Sequence, residues 1–315
     1  MVQLLALFLA FILGLFGMSP APVSDVPTAT PAAEAIGIEW QNYPKIDGST
    51  STLPVVQALY DAMFGKDEAA SRHFPETASK TVPSYHKLIA GEVDLIVVPY
   101  PSQEVKDAAS EAGVTLTYER FAAEALIFIT PAENPVDSIT AEQIRKIYVD
   151  YSIRNWSELG GPDKELVPIS RNHDSGSWSQ LDNFILKGDP IHPEIEKNYV
   201  SLTMEDIVFM VAGYHHGGMD GEPTNSYAIG FTLYKYLIDN DRITGVGEDL
   251  KILDYEGVKP DVETISSGYY PLSDGYYLVF RKDEPEDSPV RALVAWLKSD
   301  DGKAMLETLG FAPAD

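Results

Sequence analysis

The chain has 315 residues, 44% of them hydrophobic, enough for a large core and room for two lobes. It has no cysteine, which excludes disulfides, thiolate metal sites and cysteine nucleophiles and leaves the redox compartment open. With 23 Lys and Arg against 48 Asp and Glu the formal charge is −25, the opposite of the basic footprint that nucleic-acid binding needs.

Leu4 to Phe16 is almost wholly apolar. It is shorter than the roughly 20 residues of a membrane span and matches the apolar region of an export signal. Residues 1–18 are therefore expected to be a signal peptide or an uncleaved signal anchor, although Met1-Val2-Gln3 lacks the usual Lys or Arg. In Leu15-Phe16-Gly17-Met18-Ser19 a methionine stands where a bacterial lipoprotein box has its lipidated cysteine, so no lipid anchor is expected there. Residues 19–35 are rich in Pro, Ala, Ser and Thr and read as a flexible tether.

Next comes a short strand-like run ending at Ile46, then Asp47-Gly48-Ser49-Thr50-Ser51-Thr52-Leu53-Pro54. A helix follows, with Leu53, Val56, Leu59, Tyr60 and Met63 on one face and Pro54 in its first turn, where a missing N–H costs nothing. Asp94 to Val98, Thr115 to Tyr118 and Ala125 to Ile129 are strand candidates. Ile139 to Tyr148 reads as a helix in which Thr140 and Gln143 can form a capping box.

After the apolar run Leu166 to Ile169 comes Arg171-Asn172-His173-Asp174-Ser175-Gly176-Ser177, then a helix through Trp178, Leu181, Phe184 and Ile185. Its first turn presents free N–H groups, the hydroxyls of Ser175 and Ser177, and Gly176, which permits close approach. Arg171 adds a planar fork of donors. Every group is a donor or a cation, which suits a small anion; the plainer alternative is a serine N-cap beside a surface arginine. The hydroxyl-rich 47–54 loop repeats the strand, loop and helix N-terminus plan. Two such loops from distant segments suggest two jaws on one anion. Further on, Tyr227 to Phe231 and Tyr276 to Phe280 read as strands, and Val290 to Leu297 and Gly302 to Leu309 as helices. The alternation predicts an α/β fold with mostly parallel sheets.

Several phrases together resemble the phosphate-specific substrate-binding proteins of bacterial ABC transporters, the PstS-like branch of the periplasmic-binding-protein superfamily. They are the 47–54 loop, Ala90-Gly-Glu-Val-Asp-Leu-Ile96, Asn134 to Tyr148, Asn155-Trp-Ser-Glu-Leu-Gly-Gly161, Ser170-Arg171 with Asp174-Ser-Gly-Ser177, Ala228-Ile-Gly-Phe231 and Tyr270-Pro-Leu272. The resemblance implies a two-lobe (type II) fold with a ligand cleft between the lobes. Residues 36–118 plus 268–315 would form one lobe and residues 119–267 the other. It implies a monomer that captures inorganic phosphate and hands it to an ABC transporter permease, outside the cytoplasm, with no cofactor, metal or catalysis. Carried over, Arg171, Ser175, Gly176 and Ser177 match the anion loop. Thr52 matches through its hydroxyl and Leu53 through its N–H, with Ser51 as fallback. Thr81, or alternatively Ser84, would supply a third hydroxyl.

One position departs from the family pattern. An aspartate that accepts the proton of hydrogen phosphate commonly follows the strand at Asp94, and here the chain reads Val98-Pro99-Tyr100-Pro101-Ser102. An unmet buried acceptor costs about 1–3 kcal/mol, so its loss predicts weaker rejection of sulfate. Tyr100, His173 and Asp174 are candidate substitutes; Asp174 can equally serve the helix dipole. Other oxyanions, such as sulfate or molybdate, stay open. So do a sensor or adhesion protein that kept the fold, and an exported hydrolase using Ser175 or Ser177. Against the last, the chain has no Gly-x-Ser-x-Gly elbow. His215 and His216, within Tyr214-His-His-Gly-Gly218, are adjacent and point apart on any regular element. The pairs Tyr269-Tyr270 and Tyr276-Tyr277 are expected to pack near the crossing between lobes.

Overall fold

A computed structural model describes residues 26–216 and 224–314. The expected leader (1–18), most of the tether and the 217–221 loop lie outside the described residues. Ten strands occur among those described: β1 (Ile46–Gly48), β2 (Leu95–Pro99), β3 (Leu116–Pro131), β4 (Ser138–Ile139), β5 (Glu165–Pro168), β6 (Ser170–Arg171), β7 (Val200–Ser201), β8 (Ser226–Leu233), β9 (Leu250–Tyr255) and β10 (Ser273–Arg281). Eight form one mixed sheet with the order β1-β2-β10-β3-β8-β5, to which β9 and β4 are attached at β3. β6 and β7 form a separate parallel pair.

The 16-residue β3 organises this arrangement. Its first part, Leu116 to Ala125, pairs antiparallel with β10; its last part, Leu126 to Pro131, pairs antiparallel with β8 and β9. The two strand candidates of the sequence, Thr115 to Tyr118 and Ala125 to Ile129, are thus the ends of one strand. The expectation of mostly parallel sheets is corrected. β1–β2, β5–β8 and β4–β9 are parallel, but the longer pairings β2–β10, β3–β10, β3–β8 and β3–β9 are antiparallel. The cause is connectivity. β3 carries the chain out of one region of the sheet and β10 carries it back alongside, so the two must run in opposite directions. Apolar periodicity reports burial and is blind to strand direction.

Each region has its own core. Trp156, Phe128, Tyr148, Phe231 and Leu253 belong to one cluster; Val55, Leu95, Phe121, Tyr276 and Leu297 belong to another. The Trp of the Asn-Trp-Ser phrase is buried and donates its indole N–H to Tyr227 O at 2.9 Å. Tyr270 and Tyr276 are buried at the handover, as packing residues; Tyr270 donates to Leu126 O at 3.1 Å, whereas Tyr269 is exposed. The capping box at Thr140 and Gln143 is formed. The ordered body begins before Ile36. Pro31–Ala35 is a helix capped by Thr30, whose hydroxyl also donates to Ala62 O at 2.6 Å, and Ala33 is buried. The tether boundary therefore moves N-terminally.

Glu124 sits on β3 at the handover, opposite Asp274 of β10. Its Oε1 accepts from Ala125 N at 2.8 Å and from Lys235 N at 3.2 Å, while Oε2 has no hydrogen-bond partner. Burial pushes the carboxyl up from 4.5 to about 7, against the lowering influence of the neighbouring Tyr276 hydroxyl and of those two N–H groups. The folded state thus holds this proton where the unfolded chain has lost it, and stability falls as pH rises from about 4.5 to about 7. Glu124→Gln keeps an acceptor for both N–H groups. It is expected to gain on the order of 2–3 kcal/mol over the parent at pH 8 and nothing at pH 4, in urea unfolding. An equal difference at both pH values would contradict this placement of the proton.

Candidate functional site

Two loops meet at the sheet's edge. The first follows β1. Ser49 O accepts from Thr52 N at 3.2 Å and Leu53 N at 3.0 Å, so the turn caps its own helix, Leu53–Phe64. The Thr52 hydroxyl, wholly buried, donates to Val97 O of β2. A Cβ on Gly48 would stand 2.7 Å from that same carbonyl, so only glycine lets β1 lie this close to β2. The second loop follows β6. Ser175 caps the helix Gly176–Leu181, its oxygen accepting from Trp178 N at 3.1 Å.

Between them lies a cavity of about 170 Å³. Ser49, Thr50, Ser51, Lys80 and Thr81 line one side; Arg171, Ser175, Gly176, Thr203, Glu205 and Tyr236 are among the residues on the other. The two sides touch. A Cβ on Gly176 would lie 2.7 Å from Pro99 Cγ and 3.0 Å from Thr81 Oγ1. Behind the cavity, Gln103 N donates to Asp182 Oδ2 at 2.8 Å, Asn183 Nδ2 to Pro101 O at 2.6 Å, and Lys106 Nζ to Asn183 Oδ1 at 2.7 Å.

Arg171 dominates the electrostatics. Its residue is 3% exposed, its Nε has no partner, and its Nη1 reaches Ser201 O and Oγ only at 3.5 and 3.4 Å. No carboxylate among the described residues forms an ion pair with it. Desolvation lowers its pKa to about 10, offset in part by Tyr236 and Asp206, so it stays charged at neutral pH. A buried cation without a partner costs several kcal/mol, which an anion in the cavity would relieve. Thr81 Oγ1, also buried, has no partner, and Thr81 opens the helix Thr81–Ala90. Lys80 brings a second cation to the wall, on a backbone with φ of 77° that a non-glycine residue seldom adopts.

Of the residues singled out in the sequence, Ser51, Thr81, Arg171, Ser175 and Gly176 meet around the cavity. Thr52 and Leu53 do not line it; the Thr52 hydroxyl is taken up by Val97 O of β2 and the Leu53 N–H by Ser49 O. Ser177 is buried behind Ser175, the two oxygens 3.5 Å apart. Ser84 is likewise internal, donating toward Gly48 O and Lys80 O. The candidate replacements for the missing aspartate all point elsewhere. Tyr100 packs with Tyr118 and Tyr277, ring centroids 5.1 and 5.5 Å away. His173 stacks on Trp178 at 4.1 Å and meets Glu196 at 3.1 Å. The Asp174 carboxylate accepts from Asn172 Nδ2 at 3.5 Å, and the residue does not line the cavity. Sequence reasoning passed over Lys80, Thr203, Glu205 and Tyr236. Thr203 had a readable signal, since it caps the helix Met204–Gly213 through Asp206 N. The others carried none.

The chain belongs to the PBP superfamily: the family model described as the PBP superfamily domain matches residues 31–301. It is 29% identical over 195 residues to the phosphate-binding protein PstS of Borreliella burgdorferi, covering 61% of this chain and 63% of the relative. It is 27% identical over 194 residues to the protein of the same name from Bacillus subtilis, covering 60% and 56%. The matches thus span less than two thirds of either relative's length. Among solved structures, an ABC-type phosphate transport receptor from Vibrio cholerae superposes with a TM-score of 0.60 at 22% identity, over 85% of this chain and 98% of that one. That likeness establishes the shared α/β fold.

Gly176 is the closest meeting point of the two sides. Gly176→Ala is expected to force Pro99 and Thr81 apart and to weaken the binding of a ligand held between the two sides about tenfold or more, since overpacking costs about 1–3 kcal/mol. Titration calorimetry reads this, and unchanged affinity would show that this contact does not close the cavity.

Proposed function

We propose that this is a non-enzymatic, extracytoplasmic substrate-binding protein that captures inorganic phosphate and delivers it to an ABC transporter permease. The observation that carries the proposal is the buried, unpaired Arg171 facing hydroxyls from a second chain segment. Charge-assisted hydrogen bonds from a guanidinium are strong in such a dry site. The names of the Borreliella and Bacillus relatives favour phosphate over other oxyanions.

Lobe closure is the capture step in this reading. A division into two lobes, read from the sequence as residues 36–118 plus 268–315 and residues 119–267, draws support from the separate cores and the switch of partners along β3, which falls at Ala125 and Leu126, with Phe121 in the core of the first lobe and Tyr270 in that of the second. The contacts of Gly176 with Thr81 and of Asp182 with Gln103 then belong to the closed form. Export rests on the apolar Leu4 to Phe16 leader. The monomeric state rests on the resemblance alone.

The test is calorimetry on protein stripped of bound ion by unfolding and refolding. One-to-one phosphate binding is expected. Arg171→Ala should weaken it on the order of a hundredfold or more, with Ser175→Ala weakening it less. Phosphate should be preferred over sulfate by less than several hundredfold, because no buried carboxylate lines the cavity. Silence toward phosphate, or an Arg171→Ala variant that binds like the parent, would overturn the proposal. Ester turnover lost on Ser175→Ala would favour the hydrolase.

A further inference from the structure

The helix Gln103–Glu111 has two candidate caps, and only one is in use. It begins after Ser102, whose φ of −66° and ψ of 169° are those of an N-cap residue. Ser102 is wholly buried, yet its Oγ makes no capping bond and has no hydrogen-bond partner. A serine in this place ordinarily accepts from the N–H groups two or three residues on, here those of Glu104 and Val105.

The cap comes from elsewhere in the chain. Gln103 N donates to Oδ2 of Asp182 at 2.8 Å, 79 residues away. Asp182 is fixed on its own side, its Oδ1 accepting from Gly188 N at 2.8 Å. Asn183 donates to Pro101 O at 2.6 Å and accepts from Lys106 Nζ at 2.7 Å, and Gln180 Nε2 reaches Tyr100 O at 3.5 Å. These residues continue the helix that opens at the cavity. Gly176–Leu181 presents Ser175 and Gly176 to the cavity at its N-terminus and widens at its far end into a π-turn, Asp182–Leu186. Such turns are rare and concentrate at functional sites. One rod thus carries anion donors at one end and the grip on residues 100–106 at the other.

We infer that Asp182 and Ser102 are rival caps of the helix Gln103–Glu111: Asp182 caps it when the two sides of the cavity are together, and Ser102 caps it when they part. Both are positioning residues, which set ligand affinity through the opening equilibrium and touch no ligand. The inference rests on the anion site and the lobe closure proposed above. A carboxylate outcompetes a hydroxyl at the positive end of a helix, so closure hands the cap to Asp182 and leaves Ser102 Oγ unpaired. Parting withdraws the carboxylate, and one χ1 rotation lets Ser102 take over. The exchange spares the open form a bare helix end. It holds the two forms close in free energy and leaves the balance to the anion.

The experiment is phosphate titration of the stripped full chain, with small-angle scattering before and after phosphate. The parent should bind and contract. Ser102→Ala takes a cap from the open form and no bond from the closed one, so it should bind phosphate about fivefold more tightly. Asp182→Ala should bind about tenfold more weakly, and Asp182→Asn, which keeps an acceptor without the charge, about threefold more weakly. In the double variant Ser102→Ala with Asp182→Ala the two shifts should offset, to within about threefold of the parent. A residue needed only for folding would not tighten binding on removal. Should Asp182→Ala fail to fold, Asn183→Ala tests the same grip and should weaken binding about threefold. A Ser102→Ala variant that binds like the parent, or more weakly, overturns the inference while the anion site stands. So does a parent that binds phosphate without contracting. A parent that binds no phosphate overturns the anion site itself.

Discussion

Arg171 is a cation held out of water without a counter-ion, and the rest of the site is arranged around that unpaid charge. Its position comes from β6, where Arg171 pairs with Ser201 of β7 and can reach that residue only through long contacts. Desolvation lowers its pKa only to about 10, so the charge persists at neutral pH and electroneutrality must come from the cavity. The hydroxyls and helix N-termini opposite are dipoles, which orient an anion without supplying competing charge.

The overall charge of −25 points the other way and is compatible with this. Surface carboxylates are screened over about 8–10 Å at physiological ionic strength, while Arg171 and Lys80 act at contact distance. The acidity bears on the rate of capture more than on the bound state, and slows anion entry most at low salt.

The long strand β3 makes the two-jaw arrangement possible. It hands the chain from one core to the other, and β10 returns beside it. Glu124 and the two buried tyrosines Tyr270 and Tyr276 occupy that crossing. Tyr270 is satisfied by Leu126 O, whereas Glu124 Oε2 and the Tyr276 hydroxyl are not, and it is the raised carboxyl of Glu124 that ties the crossing's stability to pH.

Much of this was legible in the sequence. The loops at 47–54 and 171–177 announce themselves by glycine and hydroxyl residues between an apolar run and an amphipathic one, and the helix Ala141–Tyr148 by its capping box, although Ile139, read as its start, lies in β4. Strand direction was not legible, because β10 has the same apolar pattern whichever way it runs. Nor was the role of single atoms: Thr52 and Leu53 look like ligand contacts until Ser49 O and Val97 O are seen to consume them. Lys80 and Tyr236 reach the cavity through tertiary placement alone. The measurement that bears most directly on the central claim is a crystal structure of the stripped protein with phosphate. The account predicts one tetrahedral ion within hydrogen-bond distance of Arg171, Ser51, Thr81 and Ser175. An ion bound elsewhere, with Arg171 still unpartnered, would contradict it.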